Sequence, residues 1–294
     1  MAATRKATSL TWSAWVLASA VWLPIGCGRE VPQEPQEKSE PLAGSVTGPA
    51  GRLHVDDGGT GGLPVVFVHS YAGSGAHWAA QLAHLRPTRR AVALDLRGHG
   101  RSEAPAAGDY AVESLAADIA VVVDALGLGR FVLVGHSMGG AAALAYADAH
   151  PERVAGLVLV GTPGKSSPEQ SQQVMGALEA DYDKTMGTYW QSLLTGARPD
   201  VAARIGNEMK SVPREASLAI IQAIFDYAPT PALKAYPGPK LIVDTSHGES
   251  PGALHNLAPE IPRRIVSGTS HWPQLDKPEE VNRILDEFLA TTSS

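Results

Sequence analysis

The stretch that decides the fold is Arg130-Phe-Val-Leu-Val-Gly-His-Ser-Met-Gly-Gly140, which holds a Gly-x-Ser-x-Gly motif centred on Ser137. The apolar residues before the motif predict a buried strand, and residues 138–147 after it predict a helix. A serine on such a tight turn is forced outward on a strained backbone, and only glycines leave room beside it. The stretch predicts a nucleophilic serine, and the alternative is a glycine-rich turn with a solvated serine.

Short apolar runs of the same kind lie on both sides of this turn, and helical patterns separate them. Such an alternation is typical of βαβ units, so we expect an α/β fold with a mostly parallel central sheet flanked by helices. The sequence predicts strands over 52–55, 63–69, 90–95, 131–134, 154–160, 240–244 and 263–267, and core helices over 76–85, 112–126, 138–147 and 278–290.

The strand pattern disappears between Pro163 and Tyr236, and helical patterns take its place. An insertion of this length is too long for a connector, and open α/β sheets bind ligands at the carboxyl edge of their strands. We therefore expect a helical cap over residues 164–236, and a core made of residues 51–163 and 237–294. Five large side chains of the cap are candidates for an apolar pocket or for the cap's own core: Tyr182, Met186, Tyr189, Trp190 and Phe225.

The first 27 residues have the pattern of an export signal. Arg5 and Lys6 precede an apolar stretch that ends in small residues, directly before Cys27. This segment resembles a bacterial lipoprotein leader in which Cys27 is lipidated, although Pro24 stands where leucine is usual; an uncleaved membrane anchor and a plain leader are the alternatives. Residues 28–50 are rich in Pro, Glu and Gln, which predicts a disordered tether. We expect an exported protein, either membrane-anchored or periplasmic or secreted.

The composition limits the partners of the folded part. The net charge is −6 and no basic patch is evident, which argues against nucleic acid. The histidines and carboxylates lack metal-ligand spacing such as His-Glu-x-x-His, so neither a metal nor an organic cofactor is expected. A single cysteine excludes an intrachain disulfide. No feature of the sequence indicates an oligomeric state.

A serine nucleophile needs a base and a group that orients the base. His271 lies in the loop between the last predicted strand and the last helix, at the same edge of the sheet as Ser137, so we expect it to be the base. His136 adjoins Ser137 too closely to reach it, so a positioning or packing role is expected. Asp244, at the end of a strand and before His271 in chain order, is the expected acid, and Glu249 is the alternative.

The oxyanion of such a reaction needs two N–H donors. One is expected from Met138, directly after the nucleophile. The other is expected from Tyr71, in the glycine-rich loop after the strand 63–69.

Four motifs taken together resemble the α/β-hydrolase superfamily, in its branch with a helical cap. The resemblance spans about residues 53–289 and includes the loops at His69-Ser-Tyr-Ala-Gly73, Asp95-Leu-Arg-Gly-His-Gly-Arg-Ser102 and Gly268-Thr-Ser-His271, besides the Ser137 turn. In this family Asp95 and Arg97 support loop architecture. Two departures are Ser70, where glycine is usual, and the absence of the usual Gly-x-x-Asp after the strand 240–244.

The resemblance implies a serine hydrolase that forms an acyl-enzyme, with a carboxylic ester or related small acyl compound as its substrate. C–C bond hydrolysis, perhydrolase or haloperoxidase activity, and lactone or amide hydrolysis use the same residues and remain open. A serine nucleophile argues against haloalkane dehalogenase and epoxide hydrolase, whose relatives carry aspartate there. The alternative from another class is a non-catalytic binding protein tethered to a surface.

Overall fold

The computed structural model describes residues 44–246 and 250–292. The predicted leader 1–27, the lipidation site Cys27 and most of the predicted tether lie outside these ranges, as does Glu249. None of the helices within the two ranges is long and apolar enough to cross a membrane.

Eight strands form one sheet in the order β1-β2-β4-β3-β5-β6-β7-β8. Strands β3 to β8 are parallel, and the hairpin β1–β2 adds to β4 in antiparallel orientation. The α/β fold class predicted from the alternating apolar runs is confirmed. The strands are β1 (Ser45–Gly48), β2 (Gly51–Gly58), β3 (Val65–Val68), β4 (Ala91–Leu94), β5 (Phe131–His136), β6 (Val154–Val160), β7 (Lys240–Thr245) and β8 (Arg263–Val266).

Helices cover both faces of the parallel sheet, because its strands are apolar on both sides. Along β5, Leu133 joins the core beneath the second and third helices, and its neighbours Val132 and Val134 join the core on the opposite face. The helices of the core are α1 (Ala79–Leu85), α2 (Val112–Ala125), α3 (Met138–Ala149), and, after the insertion, α9 (Leu254–Leu257), α10 (Pro273–Asp276) and α11 (Pro278–Thr292).

Five helices stand between β6 and β7. Asp181 separates the first two: it ends one helix, and its side chain accepts a hydrogen bond from the N–H of Lys184 at the start of the next. The last of the five is short, begins with a proline and contains a second one, so its helical pattern is not visible in the sequence. These helices are α4 (Pro168–Ala180), α5 (Tyr182–Leu194), α6 (Pro199–Glu208), α7 (Arg214–Asp226) and α8 (Pro229–Ala235).

The amino-terminal part of the described chain differs from the prediction. The disordered tether was predicted to reach residue 50, but Ser45–Gly48 form β1, in register with Gly51–His54 of β2. Only Val46 and Thr47 favour a strand here, so the pairing comes from the hairpin and not from local propensity. β2 also continues through Asp56 and Asp57, whose carboxylates pair with Arg86 and Arg90.

The register places four strand ends side by side at the carboxyl edge of the sheet. Val68 of β3 pairs with Gly135 of β5, and His136 pairs with Val160 of β6. Val160 pairs in turn with Val243 of β7. Neighbouring strands are about 4.8 Å apart, so the loops that follow them converge on one small area.

Candidate active site

Ser137 occupies the turn between β5 and α3 in a conformation that L residues rarely adopt, with φ 52° and ψ −118°. Hydrogen bonds on both sides hold this geometry. The N–H of Ser137 donates to Val160 at 2.8 Å, and its carbonyl accepts from the N–H of Gly140 at 2.8 Å. Strain of this kind persists only where the surroundings determine it, and it is common at functional sites. The predicted strand-to-helix serine turn is therefore present.

The glycines around Ser137 are required because the start of α3 packs against two strand ends. A Cβ on Gly139 would collide with the carbonyl oxygens of Val68 and His69, and one on Gly140 would collide with the Thr162 hydroxyl. These contacts bring the loop after β3 directly against the first turn of α3. The two segments expected to supply oxyanion donors are thereby neighbours.

The loop after β3 makes a tight turn in which the N–H of Gly73 donates to the carbonyl of Ser70 at 3.0 Å. Ala72, at the third position, has φ 57° and is the other non-glycine residue with positive φ in the described ranges. Within those ranges no hydrogen-bond acceptor contacts the backbone N–H of Tyr71 or of Met138, although both residues are buried. Two unused donors at adjoining segments suit an anion that forms beside Ser137.

The imidazole of His271 lies over the end of β6, the strand next to Ser137. A Cβ built on Gly161 would stand 3.1 Å from Cε1 and 3.4 Å from Nδ1 of this ring, so glycine is needed beneath it. Trp272 contacts the ring edge-on, with centroids 5.3 Å apart. His271 therefore reaches the strand end beside the Ser137 turn, as its position in the sequence predicts.

His136 is hydrogen-bonded through both ring nitrogens to the segment that carries His271. Its Nε2–H donates to the carbonyl of His271 at 2.8 Å, and its Nδ1 accepts from the Gln274 amide at 3.0 Å. Burial, followed by the nearby His271, lowers the pKa of His136 well below its usual value of 6.5. A neutral, fully hydrogen-bonded imidazole suits the positioning role that its place beside Ser137 predicts.

Asp244 lies at the end of β7, where the carboxylate was expected, but its described bonds are to residues other than His271. Its Oδ2 accepts from Nε of Arg263 at 2.7 Å and from Nδ1 of His255 at 3.0 Å. Among the described residues these are its side-chain partners, and His271 is not one of them. The oxygen Oδ1 has no partner in those ranges. The alternative acid, Glu249, lies outside them.

Two further histidines, His69 in the loop after β3 and His99 in the loop after β4, are buried with their rings 5.2 Å apart. His69 donates through Nδ1 to the carbonyl of Ser70 at 2.7 Å and accepts through Nε2 from the N–H of Leu96 at 2.9 Å. Burial lowers the pKa of both. His136, His69 and His99 thus share a pKa that burial lowers.

The loop after β4 has the structural role that the resemblance implies. The carboxylate of Asp95 accepts from the N–H of Gly75 at 2.6 Å and from that of Arg101 at 2.8 Å. Arg97 donates through Nε and Nη2 to Asp118 at 2.9 and 2.7 Å, in a pair that is almost fully buried. These residues fix loops and do not reach the Ser137 turn in any described contact.

The helices between β6 and β7 contact the loops beside Ser137 through Trp190. Its ring stacks on Tyr71, with centroids 5.4 Å apart, and on Trp272, with centroids 6.0 Å apart. It therefore spans the loop after β3 and the loop that holds His271. The Tyr71 hydroxyl donates to Ser217 of α7 at 2.6 Å. Of the other predicted pocket residues, Met186 is buried. Tyr189 is 44% exposed, but its ring contacts Trp190 with centroids 5.7 Å apart, and burial raises the pKa of its hydroxyl.

Sequence reasoning missed two polar residues of the site. Ser70, noted only as a departure from glycine, accepts a hydrogen bond from the indole Nε1–H of Trp272 at 3.2 Å. Asp276 is buried and accepts from both the N–H and the hydroxyl of Ser270, directly before His271. An acid five residues after His271 was the available signal, but its burial and its partners depend on tertiary contacts.

Comparison with known proteins agrees with this fold. A family model described as alpha/beta hydrolase fold matches residues 64–278. The chain is 30% identical over 250 residues to a protein of Pseudomonas putida, the dihydrolipoyllysine-residue acetyltransferase component of acetoin cleaving system. That alignment covers 79% of this chain but 65% of the relative, so the chain spans less than two thirds of that protein.

Two solved structures are similar over nearly their whole length. Est816, described as an N-acyl homoserine lactone degrading enzyme, has 28% identity and a TM-score of 0.73, and the match covers 83% of this chain and 99% of that one. A thermophilic esterase from Thermogutta terrifontis has 27% identity and a TM-score of 0.71, with coverage of 85% and 98%.

Proposed function

Because the chain belongs to the α/β-hydrolase fold family and is a hydrolase of that fold, we propose that it is a serine hydrolase of carboxylic esters. The observation that carries the proposal is Ser137, strained at φ 52° between β5 and α3, with the His271 ring over the adjacent strand end. The similarity to a thermophilic esterase at 27% identity supports an ester as the substrate class.

The proposed reaction has two steps. His271 accepts the proton of the Ser137 hydroxyl as Oγ attacks the carbonyl carbon, and the backbone N–H groups of Tyr71 and Met138 bind the resulting oxyanion. The C–O bond of the ester breaks, and His271 gives its proton to the leaving alcohol. Water then attacks the acyl-enzyme with His271 again as base, which releases the acid and restores Ser137.

We propose Asp244 as the acid that orients His271, with Glu249 as the alternative. Arg263 and His255 both bind Oδ2, so Oδ1 is the oxygen that Asp244 has for an imidazole N–H. Asp244→Asn should then lower kcat by about 10⁴-fold, as triad acids do elsewhere, while Glu249→Gln should have little effect. Near-normal activity of Asp244→Asn together with an inactive Glu249→Gln would move the role to Glu249.

A second substrate class, the lactones, is favoured by the similarity to the lactone-degrading Est816 at 28% identity. A lactone is a cyclic ester, so the same attack opens the ring and the leaving alcohol stays attached to the acyl group. Parallel assays of acyclic p-nitrophenyl esters and of acyl homoserine lactones distinguish the two. A kcat/KM that is much higher for the lactones would replace the acyclic ester as the proposed class.

The test of the proposed function uses the full-length chain and a fluorophosphonate probe, which phosphonylates activated serines. The wild type should be labelled and should hydrolyse short-chain nitrophenyl esters, while Ser137→Ala should do neither. Labelling that persists in Ser137→Ala would remove Ser137 as the nucleophile. No labelling and no turnover in the wild type would favour the non-catalytic binding protein.

We also propose that the protein is exported and held at a membrane through a lipid on Cys27, with residues 28–43 as a tether. The basic and apolar pattern of the leader and its small Gly26 support this. Cells given a radiolabelled fatty acid should incorporate it into the wild-type chain but not into Cys27→Ser. Equal incorporation, or none in either, would contradict lipidation at this cysteine.

A further inference from the structure

The main chain of His271 is held from two sides. Its N–H donates to the carbonyl of Leu193 at the end of cap helix α5, at 2.9 Å. Its carbonyl accepts from Nε2 of His136 on β5, at 2.8 Å. The main chain at His271 thus joins the cap to β5, the strand that leads into the Ser137 turn.

Asp276 links Ser270, the residue before His271, to the same part of the cap through hydrogen bonds. Its Oδ2 accepts from the N–H of Ser270 at 2.8 Å and from the Ser270 hydroxyl at 2.5 Å. Its Oδ1 accepts from the N–H of Arg198 at 2.8 Å, at the start of α6. The residue is 6% exposed, and a buried carboxylate is retained only where donors compensate for the loss of hydration. Three donors from two segments do so here.

We infer that Asp276 is a positioning residue for His271, and that the cap corner formed by residues 193–198 is part of what holds the base. This inference rests on the proposed function, in which His271 is the base. The bonds to Leu193, His136 and Asp276 fix the backbone from Ser270 through His271, and contacts with Gly161 and Trp272 restrict the ring. The cap therefore cannot lift at this corner without displacing His271, so substrate enters with the corner in place.

The first test compares Asp276→Asn with Asp200→Asn. Asp200 lies at the same corner and pairs with the side chain of Arg198, but it is exposed and does not contact the histidine loop. In Asp276→Asn an N–H₂ group faces one of the N–H donors, so one of the hydrogen bonds is lost. Displacement of a reacting group by about 1 Å costs about 100-fold in rate. The limiting rate of fluorophosphonate labelling, kinact, should fall by about 10- to 100-fold, while the KI of the probe stays unchanged, and Asp200→Asn should match the wild type.

A second pair of variants isolates the link to the cap. Arg198 has φ −62°, the value that proline requires, so Arg198→Pro removes the N–H that bonds to Asp276 without demanding a new φ at that residue. Arg198→Ala removes the side chain and keeps the N–H. We expect a reduced kinact in Arg198→Pro alone. Asp276→Glu, which keeps the charge, should recover part of the loss of Asp276→Asn.

Two results would overturn the inference. One is a wild-type kinact in both Asp276→Asn and Arg198→Pro, even where their melting temperatures fall, because the carboxylate would then have only a structural role. If Asp276→Asn does not fold, the comparison of kinact between Arg198→Pro and Arg198→Ala tests the inference by itself. The other is a wild type that is not labelled at Ser137, which removes the proposed function as well; the first result leaves the proposed function intact.

Discussion

Relief of the strain at Ser137 should make the protein more stable and inactive at once. Ser137 holds φ 52° and ψ −118°, whereas glycine adopts positive φ without steric penalty. We compare Ser137→Gly with Ser137→Ala, because both remove the hydroxyl and only glycine removes the strain. Residues held in such regions cost about 1–3 kcal/mol.

The magnitude follows from two opposing effects. Glycine regains about 1–3 kcal/mol of strain but gives the unfolded chain more freedom, which costs about 0.4–1 kcal/mol. The net expectation is that Ser137→Gly has a free energy of unfolding about 1–2 kcal/mol above that of Ser137→Ala. For a chain of this size that corresponds to a Tm about 2–8 °C higher.

Urea unfolding followed by tryptophan fluorescence measures this difference, and calorimetry measures the Tm. The control is Ala142→Gly, in the buried interior of α3, where glycine should destabilise by about 1 kcal/mol or more. A Ser137→Gly variant that is no more stable than Ser137→Ala would refute the view that the serine turn stores strain.

Three further predictions follow from the packing and the charges. Trp190→Ala should raise kcat/KM for nitrophenyl esters of long acyl chains relative to acetate, because its ring spans the loops that hold Tyr71 and His271, whereas Gln191→Ala, at an exposed neighbour, should leave that ratio unchanged; equal ratios in both variants would contradict a role of Trp190 in substrate size. Asp118→Ala should lower the free energy of unfolding by about 3–5 kcal/mol, because it leaves the buried guanidinium of Arg97 without its main partner. A loss below about 1 kcal/mol in urea unfolding would contradict the expected cost of an unpaired buried charge. Burial lowers the pKa of His69, His99 and His136 below 6.5, so the unfolded chain binds protons first as the pH falls, and the free energy of unfolding should decrease from pH 7 to pH 5; a constant or rising value would contradict the sign.

The sequence was sufficient where one local pattern determines the structure. The apolar run 131–134, the glycines around Ser137 and the helical run that follows are adjacent in the chain, so the strand, the turn and the helix could be predicted together. The position of His271 could also be predicted, because loops after parallel strands meet at one edge of the sheet. For His136, adjacency to Ser137 predicted a positioning or packing role, but its partners His271 and Gln274 could not be read from the sequence.

The sequence was insufficient where the partners are distant in the chain. Asp276 looks like an ordinary acid near the start of a helix until the fold places Arg198 and Ser270 against it. Asp244 was chosen for its strand end, but the pairing of β7 with β8 places Arg263 beside it. β1 has weak local propensity and forms because it pairs with β2.

The covalent intermediate tests the central claim most directly. The full-length chain is mixed with a p-nitrophenyl ester, quenched in acid within the first turnover, digested and mapped by mass spectrometry. Our account predicts an acyl group on the peptide that contains Ser137, and an unmodified peptide from Ser137→Ala. An acyl group on a different residue of an active enzyme, or ester turnover by Ser137→Ala at the wild-type rate, would contradict it.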